Sequence, residues 1–288
     1  MTAESALMDN PRADRVRAVA ALATRPARRR TGTFLVEGPQ GCREALRAHL
    51  GEGPKAAARA WPAGRVLTQV FVSEALAGRD PELARLVERL RDVPVRTATE
   101  EVLGAMSDAV TAQGIVAVAR IPGEGAGLRV LESARLAAVL CRVQDPGNAG
   151  TILRAADAAG AGAVVLTAGS VDPFNPKVVR STAGSLFHVP LVLGEEPAAT
   201  AGAARAAGLR VWAADGYAPD RLDTMGAEEL GAPTAWLFGN EAQGLSAAEL
   251  ACADRRVAVP LYGAAESLNV ATAATVCLYA SAMAAPRD

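Results

Sequence analysis

The sequence predicts an α/β protein in two parts, with a mainly parallel, doubly wound sheet in the larger C-terminal part and a smaller α/β unit before it. Three observations carry this. The apolar runs at 136–143, 162–166, 209–213 and 234–238 are continuous and not alternating, as strands covered on both faces are. Helical stretches separate them, which is the strand-helix-strand pattern of a parallel sheet. Residues 122–127, PGEGAG, have the composition of a linker. The expected division is a domain over 1–121, a linker over 122–130 and a second domain over 131–288, and 288 residues suffice for two cores.

In chain order, the first part opens on a helix over 12–22, with Val16, Val19 and Leu22 on one face. The run Arg25, Arg28, Arg29 and Arg30 follows, read by itself as a solvated turn or a phosphate contact. Next come a strand over 33–38, a helix over 42–50 and a Gly-, Ala- and Pro-rich surface insertion over 51–64. A strand over 66–74, a helix over 81–92 with Pro81 in its first turn, an extended stretch over 93–96, a short helix over 99–106 and a strand over 114–121 complete it. In the second part, helices are expected over 151–159, 176–181, 197–207 and 269–283, and a strand over 255–259 ending at Pro260. Ser246 with Glu249 forms a capping box.

Composition narrows the function. A net charge of −1 excludes a uniformly basic chain but not a local basic face, and Lys55 and Lys177 are the only lysines beside many arginines. Cys42, Cys141, Cys252 and Cys277 lie far apart and neither His49 nor His188 neighbours another ligand type, so no metal site is expected and the thiols read as structural, in a reducing compartment. The charged N-terminus lacks an apolar signal core and no stretch is long enough to span a bilayer, so the expectation is a cytoplasmic protein with no membrane partner.

In open parallel sheets ligands bind beyond the carboxyl ends of strands, and three polar, glycine-bearing loops fall there: 144–150 (QDPGNAG), 239–244 (GNEAQG) and 262–269. The first carries Asn148, and Arg154 follows six residues on, near two turns along the same flank; a pair with Asp157 is the plainer reading of that arginine. Asn240 and Glu241 lie in the second, where simple hairpin chemistry is the alternative. Ser267 and Asn269 end the third, where either could be a helix cap. P-loop, HExxH, GxSxG and complete GxGxxG motifs are absent, so classical nucleotide hydrolysis and triad chemistry have no support; a dinucleotide-dependent oxidoreductase is a rival whose glycine fingerprint and ribose-binding acid are missing.

Taken together, QDPGNAGTILRAADAAG, LFGNEAQGLS and VPLYGAAESLNVATAA, in that order and spacing, resemble the three motifs of the SpoU (TrmH-like) family of RNA ribose 2′-O-methyltransferases in the SPOUT superfamily. FLVEG, VFVSE and SDAVTAQGIVAVA upstream are similar to that family's RNA-binding domain. The resemblance implies a C-terminal trefoil-knotted parallel-sheet domain, an N-terminal unit like ribosomal protein L30e, a homodimer, and S-adenosylmethionine as cofactor. It places Arg154, Asn148, Glu241, Ser267 and Asn269 in the catalytic set. Gly239, Val259 and Leu268 would hold the cofactor through backbone groups, with Leu237, Asn240 and Leu261 beside them. Val259 stands where the family more often has isoleucine.

Methyl transfer from a sulfonium to a hydroxyl needs alignment and help with a proton, and it needs no metal. A guanidinium stays protonated, so Arg154 is expected to orient a phosphate and stabilise developing charge. With the family in view, the four arginines from Arg25 to Arg30 become expected contacts to structured RNA. Ribosomal RNA, in particular 23S rRNA, is the expected substrate; a tRNA 2′-O-methyltransferase, or a catalytically silent RNA-binding or ribosome-assembly factor, is the alternative.

Overall fold

Phe34, Leu35 and Val36 are all fully buried in β1 (Thr33–Glu37), so this strand needs cover on both faces. The computed structural model, which describes residues 7–58, 60–107, 113–123 and 127–286, supplies that cover. Residues 108–112 of the SDAVTAQG stretch and 124–126 of the expected linker lie outside the described residues. The chain forms two compact units, one of residues 1–123 with 172–188, the other of 124–171 with 189–288.

In the first unit β1, β2 (Leu67–Val72), β3 (Val95–Thr97) and β4 (Ile115–Arg120) form a sheet in the order β1-β4-β2-β3. Strand β4 runs antiparallel to both neighbours, and β3 is a parallel edge strand. Helices α1 (Asp14–Ala20) and α6 (Glu100–Met106) cover one face with Val16, Val19, Val102, Leu103 and Met106 against Phe71 and Val116. On β1 and β4 also packs α3 (Pro39–His49), itself against α5 (Pro81–Glu88), which follows the short α4 (Leu76–Arg79).

The arginine run is not a turn. It is helix α2 (Arg25–Thr31), started by a proline in its first turn and ended by Gly32 in the left-handed region at φ 63°. Residues 51–64 are more than a surface insertion, because Trp61 is 4% exposed and donates from Nε1 to the Leu186 carbonyl at 3.1 Å. Residues 172–188, which the sequence reading assigns to the second domain, pack in this unit. Phe174 lies 5.0 Å from Phe34, and Phe187 lies 4.8 Å from Trp61, ring centre to ring centre. Within this segment α8 (Pro176–Ser181) lies against β1.

In the second unit seven strands pair in parallel throughout: β5 (Leu136–Leu140), β6 (Ala163–Thr167), β7 (Leu191–Glu195), β8 (Arg210–Ala214), β9 (Asp220–Arg221), β10 (Thr234–Phe238) and β11 (Arg255–Ala258). Their order is β7-β6-β5-β10-β8-β11-β9, so the strand order reverses its sense between β5 and β10, where an open parallel sheet leaves its ligand crevice. Every residue of β5, β6 and β10 is buried. On one face Val139, Val211 and Leu237 pack with Ala201 and Ala204 of α9 (Pro197–Ala206). On the other, α12 (Val270–Ala284) lies against β5, β10 and α7 (Pro146–Ala158), and Trp236 donates from Nε1 to Ser281 Oγ at 3.0 Å. Two one-turn helices, α10 (Ala227–Leu230) and α11 (Ala247–Leu250), complete the connections.

Two boundaries differ from the sequence reading in ways that matter for the site. Strand β5 stops at Leu140 and not at 143, because Arg142 takes φ 56° and turns the chain out of the sheet. Helix α7 starts at Pro146 and not at 151, because Asp145 Oδ1 caps it by accepting from the Asn148 N–H at 2.8 Å and a proline occupies the first turn. Asn148 therefore stands on a helix and not in a loop.

No helix among the described residues is long and apolar enough to cross a membrane. Cys42, Cys141 and Cys277 are buried, and burial pushes each thiol well above its ordinary pKa, as inert core cysteines behave.

Candidate cofactor and catalytic site

Three segments meet at the carboxyl ends of β5, β10 and β11, and side chains tie them together. From the hairpin 239–244, closed by the Asn240–Gly244 backbone pair at 3.1 and 2.8 Å, Glu241 reaches the start of α7. Its carboxylate accepts from the N–H groups of Gln144 at 3.2 Å and Asp145 at 3.0 Å, and from Asn148 Nδ2 at 3.2 Å. Asn148 Oδ1 accepts in turn from Asn269 Nδ2 at 2.9 Å. Asn269 Oδ1 accepts from Ala271 and Thr272 N–H at 2.9 and 3.3 Å, so one side chain caps α12 and grips α7.

Partial burial raises the Glu241 pKa. The N–H groups of Glu241, Asp145 and Gln144 and the Asn148 amide outweigh it, so the carboxyl lies below its ordinary 4.5 and is anionic at neutral pH.

The hairpin has its own support, which the sequence reading missed. Arg142 donates to both carboxylate oxygens of Glu249 at 2.8 and 2.7 Å and to the Gly244 carbonyl at 3.3 Å, while its own carbonyl accepts from Asn240 Nδ2 at 3.0 Å. Glu249 is also the acid of the capping box at Ser246. Hydrogen bonding to Arg142 lowers the Glu249 pKa against the effect of burial. An arginine just after a strand gives no warning of a left-handed backbone, and so no signal in the sequence marked it. The capping box was the visible half of this pair.

The other expected residues divide. Gly239 is buried, and a Cβ there would fall 2.3 Å from the Gly244 carbonyl carbon and 2.4 Å from Leu245 N, so only glycine lets the hairpin close. Asn240 is spent on the hairpin, its Oδ1 accepting from Ala242 and Gln243 N–H. Leu237 is fully buried in the core, with its backbone registered between β5 and β8, so it supports the site from below and does not line it. Val259 is half-buried, and Leu261, Ser267 and Leu268 lie in an exposed loop.

Arg154 stands apart from this cluster. Six residues of helix place it about 9 Å along α7 from Asn148 and about 120° round the axis, so the two do not share a flank. It is exposed and has no hydrogen-bond or ion-pair partner among the described residues; Asp157 does not pair with it. The arginines of α2 divide too. Arg25, Arg29 and Arg30 are exposed, but Arg28 is 2% exposed. Its guanidinium donates to Asp172 Oδ2 at 2.6 and 3.1 Å and to the carbonyls of Leu22 and Ala23, both at 2.9 Å, so it is a fastening inside the first unit and not a surface cation. No group of three or more His, Cys, Asp or Glu able to hold a metal occurs among the described residues.

Residues 135–279 match the model of the SpoU rRNA Methylase family, and 35–124 match that of the RNA 2′-O ribose methyltransferase substrate-binding domain. The chain belongs to the SpoU rRNA methylase family. Among its SpoU-type relatives is the 23S rRNA (guanosine(2553)-2′-O)-methyltransferase RlmP of Bacillus subtilis, 35% identical over 90% of this chain and 92% of that one. The AdoMet complex of the SpoU methyltransferase AviRb from Streptomyces viridochromogenes superposes with a TM-score of 0.76 at 28% identity, covering 94% of this chain and 98% of the other. AdoMet-bound rRNA methyltransferase from Sinorhizobium meliloti gives 0.77 at 26% identity, over 96% and 97%. A resident cofactor must fit the loops, and here the donor set does: among the described residues no main-chain N–H from 261 to 270 finds an acceptor, the α12 cap taking only those of Ala271 and Thr272. A run of open backbone donors beside a closed glycine hairpin suits a purine nucleoside read through the main chain.

Proposed function

We propose that this chain transfers a methyl group from S-adenosylmethionine to a ribose 2′-hydroxyl of structured RNA, with 23S rRNA as substrate. The observation that carries the reading is the continuous side-chain tie from Glu241 through Asn148 to Asn269, which fixes the hairpin 239–244 and the starts of α7 and α12 to one another beyond the strand ends of the parallel sheet. The relatives' activity on 23S rRNA supports the choice of RNA.

S-adenosylmethionine, when bound, supplies an electrophilic methyl group. The hairpin at Gly239 and the loop 261–268, with Val259 at its base, hold the cofactor through main-chain groups. Glu241, Asn148 and Asn269 keep those loops in register, and Ser267, exposed with its hydroxyl uncommitted among the described residues, positions the ribose. Arg154 orients the phosphate next to the target ribose and stabilises charge developing on its oxygen, a role for which an exposed, unpaired guanidinium is already suited.

At a finer level, the C-terminal unit is a trefoil knot closed by the passage from β11 into α12, and the N-terminal unit is of the L30e type. The protein works as a homodimer in the cytoplasm. Support for the dimer comes from α12, where Val276, Tyr279 and Met283 are 39%, 38% and 67% exposed on one helical stripe. The exposed Arg25, Arg29 and Arg30 contact RNA.

Incubating unmodified ribosomal RNA and tRNA with labelled cofactor, followed by mapping of 2′-O-methyl sites, tests the reading. Label confined to one ribose of 23S rRNA is expected. Label on tRNA alone would move the substrate, and none on either would overturn the activity.

A further inference from the structure

A cleft of about 450 Å³ opens in the first unit, well away in sequence from the motifs of the methylase unit. Asp14, Arg15 and Ala18 of α1 line one side; Gln69 of β2, Pro94 just before β3 and Arg96 within it line the other. The pairing explains why these side chains converge. Phe71 is registered with Arg96, so Gln69 and Arg96 share the face that Phe71 turns toward α1. The extra residue at the Leu67/Gln69 irregularity in β2 sets Gln69 on that face.

The charges in the cleft are unbalanced. Arg96 Nη1 is buried without a hydrogen-bond partner, and Arg15 has no ion pair among the described residues. Asp14 lines the same cleft, but Arg17 takes its carboxylate. Burial and the neighbouring Arg15 both disfavour the charged form of Arg96. A half-buried guanidinium left unsatisfied beside a second guanidinium is an unfavourable arrangement unless an anion joins it, since two fork-shaped donor sets can close on one tetrahedral anion.

We propose that Arg15 and Arg96 form a phosphate-binding subsite that takes a backbone phosphodiester of the RNA substrate. It is separate from the arginines of α2, and it rests on the reading of this chain as an RNA methyltransferase. Gln69 lies beside the pair with both amide donor and acceptor to offer the adjoining 2′-hydroxyl.

The test uses the full-length protein, an unmodified 23S rRNA fragment and a salt titration, comparing wild type with Arg15→Gln and with Arg15→Gln/Arg96→Gln. Expected are RNA binding weakened about 10-fold in the double variant, a salt slope shallower by about 1, and unchanged S-adenosylmethionine affinity. Arg15→Gln alone, at an exposed position, should move RNA binding the same way without risk to the fold. A parallel arm titrates inorganic phosphate and follows the melting temperature. Saturable stabilisation of the wild type, lost in the double variant, with RNA binding and slope unchanged, would assign the cleft to a free anion and overturn the proposal. An unchanged slope and no phosphate effect would overturn it outright. Wild-type methyl incorporation separates the two levels: if it occurs while the slope stays fixed, only the subsite fails; if the wild type neither binds nor methylates RNA, the functional reading falls and the subsite with it.

Discussion

Asn148 and Asn269 stand 121 positions apart and meet amide to amide at 2.9 Å. Asn148 also binds Glu241 and Asn269 also caps α12, so neither side chain can move without loosening two segments. Replacing Asn269 by Asp keeps the capping oxygen and removes the donor to Asn148. The expected result is a melting temperature near that of wild type with S-adenosylmethionine bound about 10-fold more weakly by calorimetry, the scale of one lost hydrogen bond plus loop disorder. Asn148→Ala should cost a similar factor, and the double variant no more than the worse single one.

Glu241 gives a prediction in pH. Its pKa is depressed on folding, so the stabilisation it brings is fully present above its ordinary 4.5 and is lost as pH falls through the lower folded value. Cofactor affinity should therefore be flat with respect to this group between about pH 5 and 8 and drop only in stronger acid. Glu241→Gln, which retains an acceptor but loses the charge, should show weakened binding at neutral pH and no further drop at low pH.

Arg154 is exposed and makes no hydrogen bond or ion pair among the described residues, which makes its substitution clean. Arg154→Ala should leave the melting temperature and cofactor affinity unchanged while lowering methyl transfer about 100- to 1,000-fold, as loss of one charge-stabilising donor does. Arg154→Lys, a point charge without the planar fork, should recover only part of that in single-turnover methylation; near-full recovery would remove the bidentate role.

Within α2 the arginines should separate by assay. Arg28→Ala leaves Asp172 without its cation and two carbonyls without donors, a loss of about 3–5 kcal/mol that chemical denaturation would register. Arg25, Arg29 and Arg30 replaced together by Gln should spare stability and flatten the salt dependence of RNA binding.

Much of this was readable in the residues, and the unreadable parts have definite causes. Continuous apolar runs marked β5, β6 and β10 because burial on both faces leaves no polar alternation. The three polar loops were found by their position after strands. Their mutual bonds were not, because Asn148 and Asn269 come together only once the strand order is known. The start of α7 was missed although Asp145 and Pro146 are a regular helix opening; the glycines that follow masked it. Arg28 looked like its neighbours, since four arginines in six positions differ only in which way each faces. Strand β9, two residues long, had no pattern to detect. The Arg15 and Arg96 cleft was invisible for a similar reason, as its walls come from three elements far apart in sequence.

Residues 172–188 complete the first unit although the methylase match has already begun at residue 135. Growing chains leave the ribosome amino end first, and domains ordinarily fold in that order. Here Phe34 and Trp61 wait for Phe174 and Phe187 before their cluster can close. Arg28 waits for Asp172 as well. The amino-terminal unit is thus finished only after β5, α7 and β6 have emerged, and a nascent chain arrested before residue 172 should be held as an unfinished, protease-sensitive intermediate.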